Sequence, residues 1–115
     1  MNILVVENDA TLRRIIAQGL TLEGHTVRLA GNGVDGLKLA QGNTLDAIIV
    51  DADLPMMATP QFIQEAHKIS QHVRIVVLCG DPLEDGFAHN PDVYRFIYTP
   101  LRIPDLIDAI GNTRE

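Results

Sequence analysis

The run AIIVDADLP spans residues 47–55, four apolar residues leading into two carboxylates one residue apart. An apolar, β-branched run of this length, bounded by polar residues, has the character of a strand buried on both faces. The first charges, Asp51 and Asp53, therefore stand at the carboxyl end of that strand, and Leu54-Pro55 turns the chain away. Four more segments share this character: residues 3–6, 26–30, 74–78 and 94–98 are short, apolar or β-branched, and followed by polar or turn residues.

Between these strands the apolar period lengthens to that of a helix. Leu12, Ile15, Ile16 and Leu20 share a face before Gly24, which suits the left-handed position after a helix end. Val34, Leu37 and Ala40 mark a shorter helix closing near Gly42. Phe62, Ile63, Ala66 and Ile69 form another stripe, as do Ile103, Leu106, Ile107 and Ile110, with Pro104 in a first turn. Residues 81–92 should hold one further helix, but Pro82, Gly86, Asn90 and Pro91 reduce it to one or two turns. Strands alternating with helices predict an α/β fold: a five-stranded parallel sheet with helices on both faces, since parallel strands require right-handed crossovers.

Composition narrows the function. A chain of 115 residues, 46% of them hydrophobic, is expected to form one domain over residues 1–115. No apolar segment reaches the ~20 residues of a membrane helix, and the start MNILVVENDA lacks the pattern of a signal peptide, so a cytoplasmic location is expected. The single Cys79 agrees with a reducing compartment. A net charge of −6 leaves no basic stripe for nucleic acid.

In a doubly wound sheet, ligands sit at the carboxyl ends of the strands. Those ends carry Glu7, Asn8 and Asp9, then Asp51 and Asp53, then Cys79, Gly80 and Asp81, then Thr99 and Pro100. Carboxylates converging from separate strands repel one another and raise each other's pKa unless a cation or hydrogen-bond donors lie among them. A hard divalent ion answers this, and Mg2+ suits best because it takes few carboxylates and keeps waters for a phosphoryl group. For Asp9 the plainer role is helix capping; for Asp51, at the end of a buried strand, nothing structural demands a charge.

The motifs ILVVEND with the following LRR, IIVDADLP, VVLCG and FIYTP, in this order and spacing, resemble the receiver domain of bacterial response regulators over the whole chain. The resemblance implies the strand order 2-1-3-4-5 and names Asp51 as phosphoacceptor, taking its phosphoryl group from a histidine kinase or a phosphotransfer protein. It implies Mg2+ held by the position of Asn8, by Asp51 and by the backbone carbonyl of Asp53, with Glu7 acting on the ion through water. Phe96 falls on the aromatic switch position, and a homodimer or an output domain is the further partner it suggests.

The chain also departs from that pattern. Asn8 replaces an aspartate that binds the metal, Cys79 a Thr or Ser, and Thr99 a lysine; Ala58 and Thr59 replace an acidic or small residue and a glycine. Losing one charge about 4 Å from a cation forfeits up to ~4 kcal/mol at an effective dielectric near 20, partly offset by the Asn8 carbonyl. The two lysines, Lys38 and Lys68, are expected away from the crevice, and the four histidines on the surface. Two readings stay open: a receiver phosphorylated on Asp51 with weakened Mg2+ binding, or a pseudo-receiver that binds partners without phosphorylation. A third, an aspartate-dependent phosphohydrolase using Asp51 and Asp53, lacks the lysine and downstream carboxylates that such chemistry needs.

Overall fold

The computed structural model describes residues 1–80, 90–98 and 101–111. Its strands β1 (Asn2–Val6), β2 (Thr26–Ala30), β3 (Ala47–Asp51), β4 (Arg74–Cys79) and β5 (Arg95–Tyr98) form one parallel sheet in the order 2-1-3-4-5. The helices are α1 (Ala10–Leu22), α2 (Gly33–Gly42), α3 (Thr59–Ile69) and α4 (Ile103–Ala109). Most of the segment expected to hold a short, proline-broken helix lies outside the described residues, as do Thr99 and Pro100.

Alternation along the strands sorts the core into two layers. Leu4, Val6, Ile48, Val50, Ile75 and Val77 face α2 and α3, where Phe62, Ile63 and Ala66 are buried. Ile3, Val5, Ile49, Val76 and Leu78 face α1 and α4, where Ile16, Leu20, Leu106 and Ile110 are buried. Central strands covered on both faces must be apolar at every position, which is why residues 47–50 read as an unbroken run. Of the stripe on α1, Ile15 remains 49% exposed because the edge strand β2 offers too little surface to cover it.

Local chemistry sets the helix ends. Asp9 caps α1, its Oδ1 accepting from the amides of Thr11 and Leu12 at 2.9 and 3.1 Å. Asn32 caps α2 through the Asp35 amide at 2.8 Å. Gly24 takes φ +93° just beyond α1, as its position in the sequence predicts. Four strand boundaries differ from the sequence reading: β1 opens at Asn2 rather than Ile3, β3 continues through Asp51, β4 through Cys79, and β5 opens at Arg95 rather than Tyr94. The sheet ladder extends each strand as far as its neighbour can pair, and Asp51 lies opposite Leu78, and Cys79 opposite Tyr98.

The histidines also need correction. His72 is exposed, but His25 is half-buried with Nδ1 3.0 Å from the amino-terminal amine, and His67 is half-buried with Nε2 3.4 Å from Asp92. Burial, then the amine's charge, hold the His25 imidazole below its ordinary pKa. His89 lies outside the described residues.

Candidate functional site

The carboxyl ends of β1, β3 and β4 lie side by side, so Glu7, Asp51 and Cys79 approach one crevice from three adjacent strands. Glu7 follows β1 directly and pairs its amide with the Ala30 carbonyl at 3.0 Å, continuing the ladder by one residue. That pairing draws its side chain inside: Glu7 is 2% exposed, a buried acid in an otherwise apolar layer. Its Oε2 accepts from the Asp9 amide at 3.1 Å, and its carbonyl accepts from Arg13 Nη1 at 2.7 Å.

Glu7 Oε1 is buried with no hydrogen-bond partner among the described residues. Its neighbour is the Asp51 carboxyl, and two carboxyl groups side by side, one of them buried, favour a state in which one keeps a proton. Burial foremost, then the neighbouring Asp51 carboxyl, and the negative charge of Asp9, push the Glu7 pKa up to about 7 against the lowering effect of the Asp9 amide. The crevice thus holds two carboxyl groups that resist being ionised together.

Asp51 is half-buried at the last residue of β3. Its Oδ1 accepts from the Asp53 amide at 3.0 Å, and its backbone carbonyl accepts from Thr59 Oγ1 at 2.8 Å. In the loop between them Met56 adopts φ +70°, a left-handed conformation unusual for a side chain of its kind. Asn8, Asp9 and Asp53 are exposed, and the Asp9 carboxylate is engaged as the α1 cap. Cys79 is 2% exposed, and half-buried Phe96 packs against the same core layer as Cys79. Lys68 sits in the last turn of α3, away from the end that begins at Thr59, and pairs with Glu65 at 3.5 Å. Lys38 lies exposed in α2, and Arg102 is exposed just before α4.

Two participants had no role from sequence alone. Arg13 belongs to the LRR run, yet only the folded α1 carries it back over the Glu7 carbonyl. Thr59 stood out as a departure at a loop position, and the signal for its burial was the Thr-Pro pair opening an amphipathic helix. Among the described residues no three His, Cys, Asp or Glu side chains gather around one point.

The parallel order 2-1-3-4-5, with Glu7 and Asp51 at the ends of the adjacent strands β1 and β3, defines a doubly wound α/β domain whose candidate site lies at the topological switch point. The chain belongs to the response regulator receiver domain family, whose model matches residues 3–110. It is 27% identical over 115 residues to the probable transcriptional regulator ycf29 of Porphyra purpurea, a match covering 96% of this chain and 55% of that protein. A CheY-like receiver domain protein from Methanospirillum hungatei superposes with a TM-score of 0.88 at 26% identity, covering 95% of this chain and 89% of that one. A response regulator from Burkholderia pseudomallei, solved with a phosphorylated aspartic acid, a calcium ion and citrate, superposes with a TM-score of 0.87 at 25% identity, covering 96% and 66%. The chain spans about half or less of the length of the first curated relatives.

Receiver domains are signalling modules of two-component systems; the family interacts with histidine kinases and output domains and typically binds Mg2+ in its active site. Among the described residues no helix is long and apolar enough to cross a membrane.

Proposed function

We propose that this chain is a cytoplasmic signalling receiver, not an enzyme, whose Asp51 accepts a phosphoryl group from the phosphohistidine of a histidine kinase or phosphotransfer protein. The observation that carries this reading is the pairing of Asp51 with the buried Glu7, whose Oε1 has no donor among the described residues. A buried carboxyl oxygen without a donor, beside a second carboxyl group, is an incomplete arrangement, and a hard cation taking the place of the Glu7 proton would complete it. The donor set fits Mg2+, which accepts one or two carboxylates and carbonyl oxygens: Glu7 and Asp51 would hold it, with the Asn8 side-chain carbonyl and the Asp53 backbone carbonyl beside them. When bound, the ion supplies positive charge against the oxygens of the incoming phosphoryl group.

The chain's own residues do the rest. The Asp53 amide holds Asp51 Oδ1, which orients the carboxylate at the rim of the crevice. A carboxylate oxygen of Asp51 attacks phosphorus; the O–P bond forms as the P–N bond to the donor's imidazole breaks. The imidazole leaves with the electron pair and takes a proton from water. By the family resemblance Cys79 and Phe96 would sense a bonded phosphoryl group, and a thiol donates a weaker hydrogen bond than a hydroxyl. Thr99 stands in the sequence where the family pattern has a lysine, so a cation is lost and uptake should be slow. A homodimer or an output domain would read the resulting change.

A second reading, a pseudo-receiver that docks without phosphorylation, draws on exposed Asn8 in place of a third carboxylate. Membership of a signalling family leaves the phosphohydrolase reading without support. Incubation with acetyl phosphate, with and without millimolar Mg2+, followed by intact-mass measurement separates the first two. One added phosphoryl mass that needs Mg2+ and vanishes in Asp51→Asn supports the receiver; no added mass and no beryllofluoride binding leaves the pseudo-receiver.

A further inference from the structure

We infer that Thr59 is a positioning residue for Asp51, a role that rests on Asp51 being the phosphoacceptor. Thr59 is 1% exposed, and its Oγ1 donates to the Asp51 carbonyl at 2.8 Å. The Asp53 amide holds the same residue from its other end, at Oδ1 and 3.0 Å. Asp51 is thus gripped at two points, backbone carbonyl and carboxylate, by one loop.

The hydroxyl does not serve its own helix. Ala58 occupies the cap position of α3 and makes no side-chain cap bond, while Thr59, the first helical residue, turns its hydroxyl back to the end of β3. A threonine acting as a cap would accept from helix amides; this one donates to a strand carbonyl. The position is a glycine in the pattern this chain otherwise resembles, and glycine offers no donor, so this bond belongs to this chain's version of the site.

The bond orients more than one atom. The peptide plane leading into Ala52 is held from both sides, by the Ala52 amide donating to the Leu78 carbonyl at 2.9 Å and by Thr59 Oγ1 donating to the Asp51 carbonyl, and it sets the direction from which the Asp53 amide reaches Oδ1. The intervening loop carries the left-handed Met56, so it has a reason to relax once its far end is released. With both holds in place, the carboxylate presents one orientation to the crevice.

The test compares wild type with Thr59→Val, which keeps shape and burial but lacks the hydroxyl, with Thr59→Ser, which keeps the hydroxyl, and with Thr59→Ala should the valine variant not fold. Three readouts are taken on folded protein: thermal midpoint, initial rate of phosphoryl uptake from acetyl phosphate with Mg2+, and the Asp53 amide resonance in a 1H–15N spectrum. Thr59→Ser should stay within about twofold of wild type, Thr59→Val should take up phosphoryl about tenfold more slowly, and the Asp53 amide should shift only in the variants lacking the hydroxyl. An unchanged rate and amide in Thr59→Val, or an equal loss in Thr59→Ser, overturns the inference. If wild type takes up no phosphoryl group, the phosphoacceptor reading has failed, and the amide alone decides positioning: shifted in Thr59→Val and unmoved in Thr59→Ser upholds it, any other pattern overturns it.

Discussion

The Arg74 guanidinium, at the first residue of β4, donates from Nη1 to the Ile110 carbonyl at 2.9 Å, which fastens the end of α4 to the sheet. The same nitrogen reaches the Gly111 carbonyl at 3.3 Å, and the guanidinium carbon stands 5.1 Å from the centre of the Tyr94 ring. A cation at a helix carboxyl end satisfies orphan carbonyls and complements the helix dipole. Arg74→Ala should therefore lower the unfolding free energy by about 2 kcal/mol, and Arg74→Lys by less, because an ammonium supplies the charge but not the flat stacking face. Urea denaturation measures both; equal losses for the two variants would show that charge contributes nothing.

Met56 carries its left-handed backbone at 74% exposure, so packing contributes little to keeping methionine there. Met56→Gly should stabilise the fold by about 0.5–1 kcal/mol, the relief of strain exceeding the entropy that glycine adds to the unfolded chain. Met56→Val should destabilise it by more than 1 kcal/mol, since a β-branched residue tolerates this conformation least. Thermal unfolding of the pair gives opposite signs if the backbone is the cause.

Glu7 makes stability depend on pH in the metal-free protein. Its folded pKa of about 7 lies above the ordinary 4.5, so between these values the folded protein keeps a proton that the unfolded chain has released. Its stabilising contribution is complete below pH 4.5 and is lost as pH rises to about 7, up to about 3 kcal/mol in all. Glu7→Gln, which cannot ionise, should remove that part of the slope. Denaturation curves at pH 4.5, 6 and 8 would contradict the assignment if both proteins lost stability in parallel.

Asn8 and Asp9 are adjacent, exposed and differently employed. Asp9→Ala should cost about 1 kcal/mol of stability through the lost α1 cap and leave divalent-ion affinity within a few-fold of wild type. Asn8→Asp should raise Mg2+ affinity by about tenfold or more, since it places a third carboxylate beside Glu7 and Asp51. Calorimetric titration reads the affinities, and a Mg2+ response abolished by Asp9→Ala would transfer the metal role to Asp9.

Five parallel strands with helices on both faces were legible in the pattern of residues, while the order 2-1-3-4-5 came with the family resemblance. Residues 47–50 are apolar on both faces because β3 is a central strand, and a central parallel strand leaves no position facing water. The helix periods, the left-handed Gly24 and the clustering of acids at strand ends follow from local rules of the same kind. What only the tertiary structure decided is how the acids are used. Glu7 and Asp9 look alike along the chain, yet the ladder to Ala30 buries one while a helix start engages the other. Thr59 and Arg13 acquire their partners when α3 closes on β3 and α1 folds back over β1. Burial, pKa and hydrogen-bond partnership depend on groups distant in sequence, and a periodic pattern records which face a residue takes but not which atom it meets there.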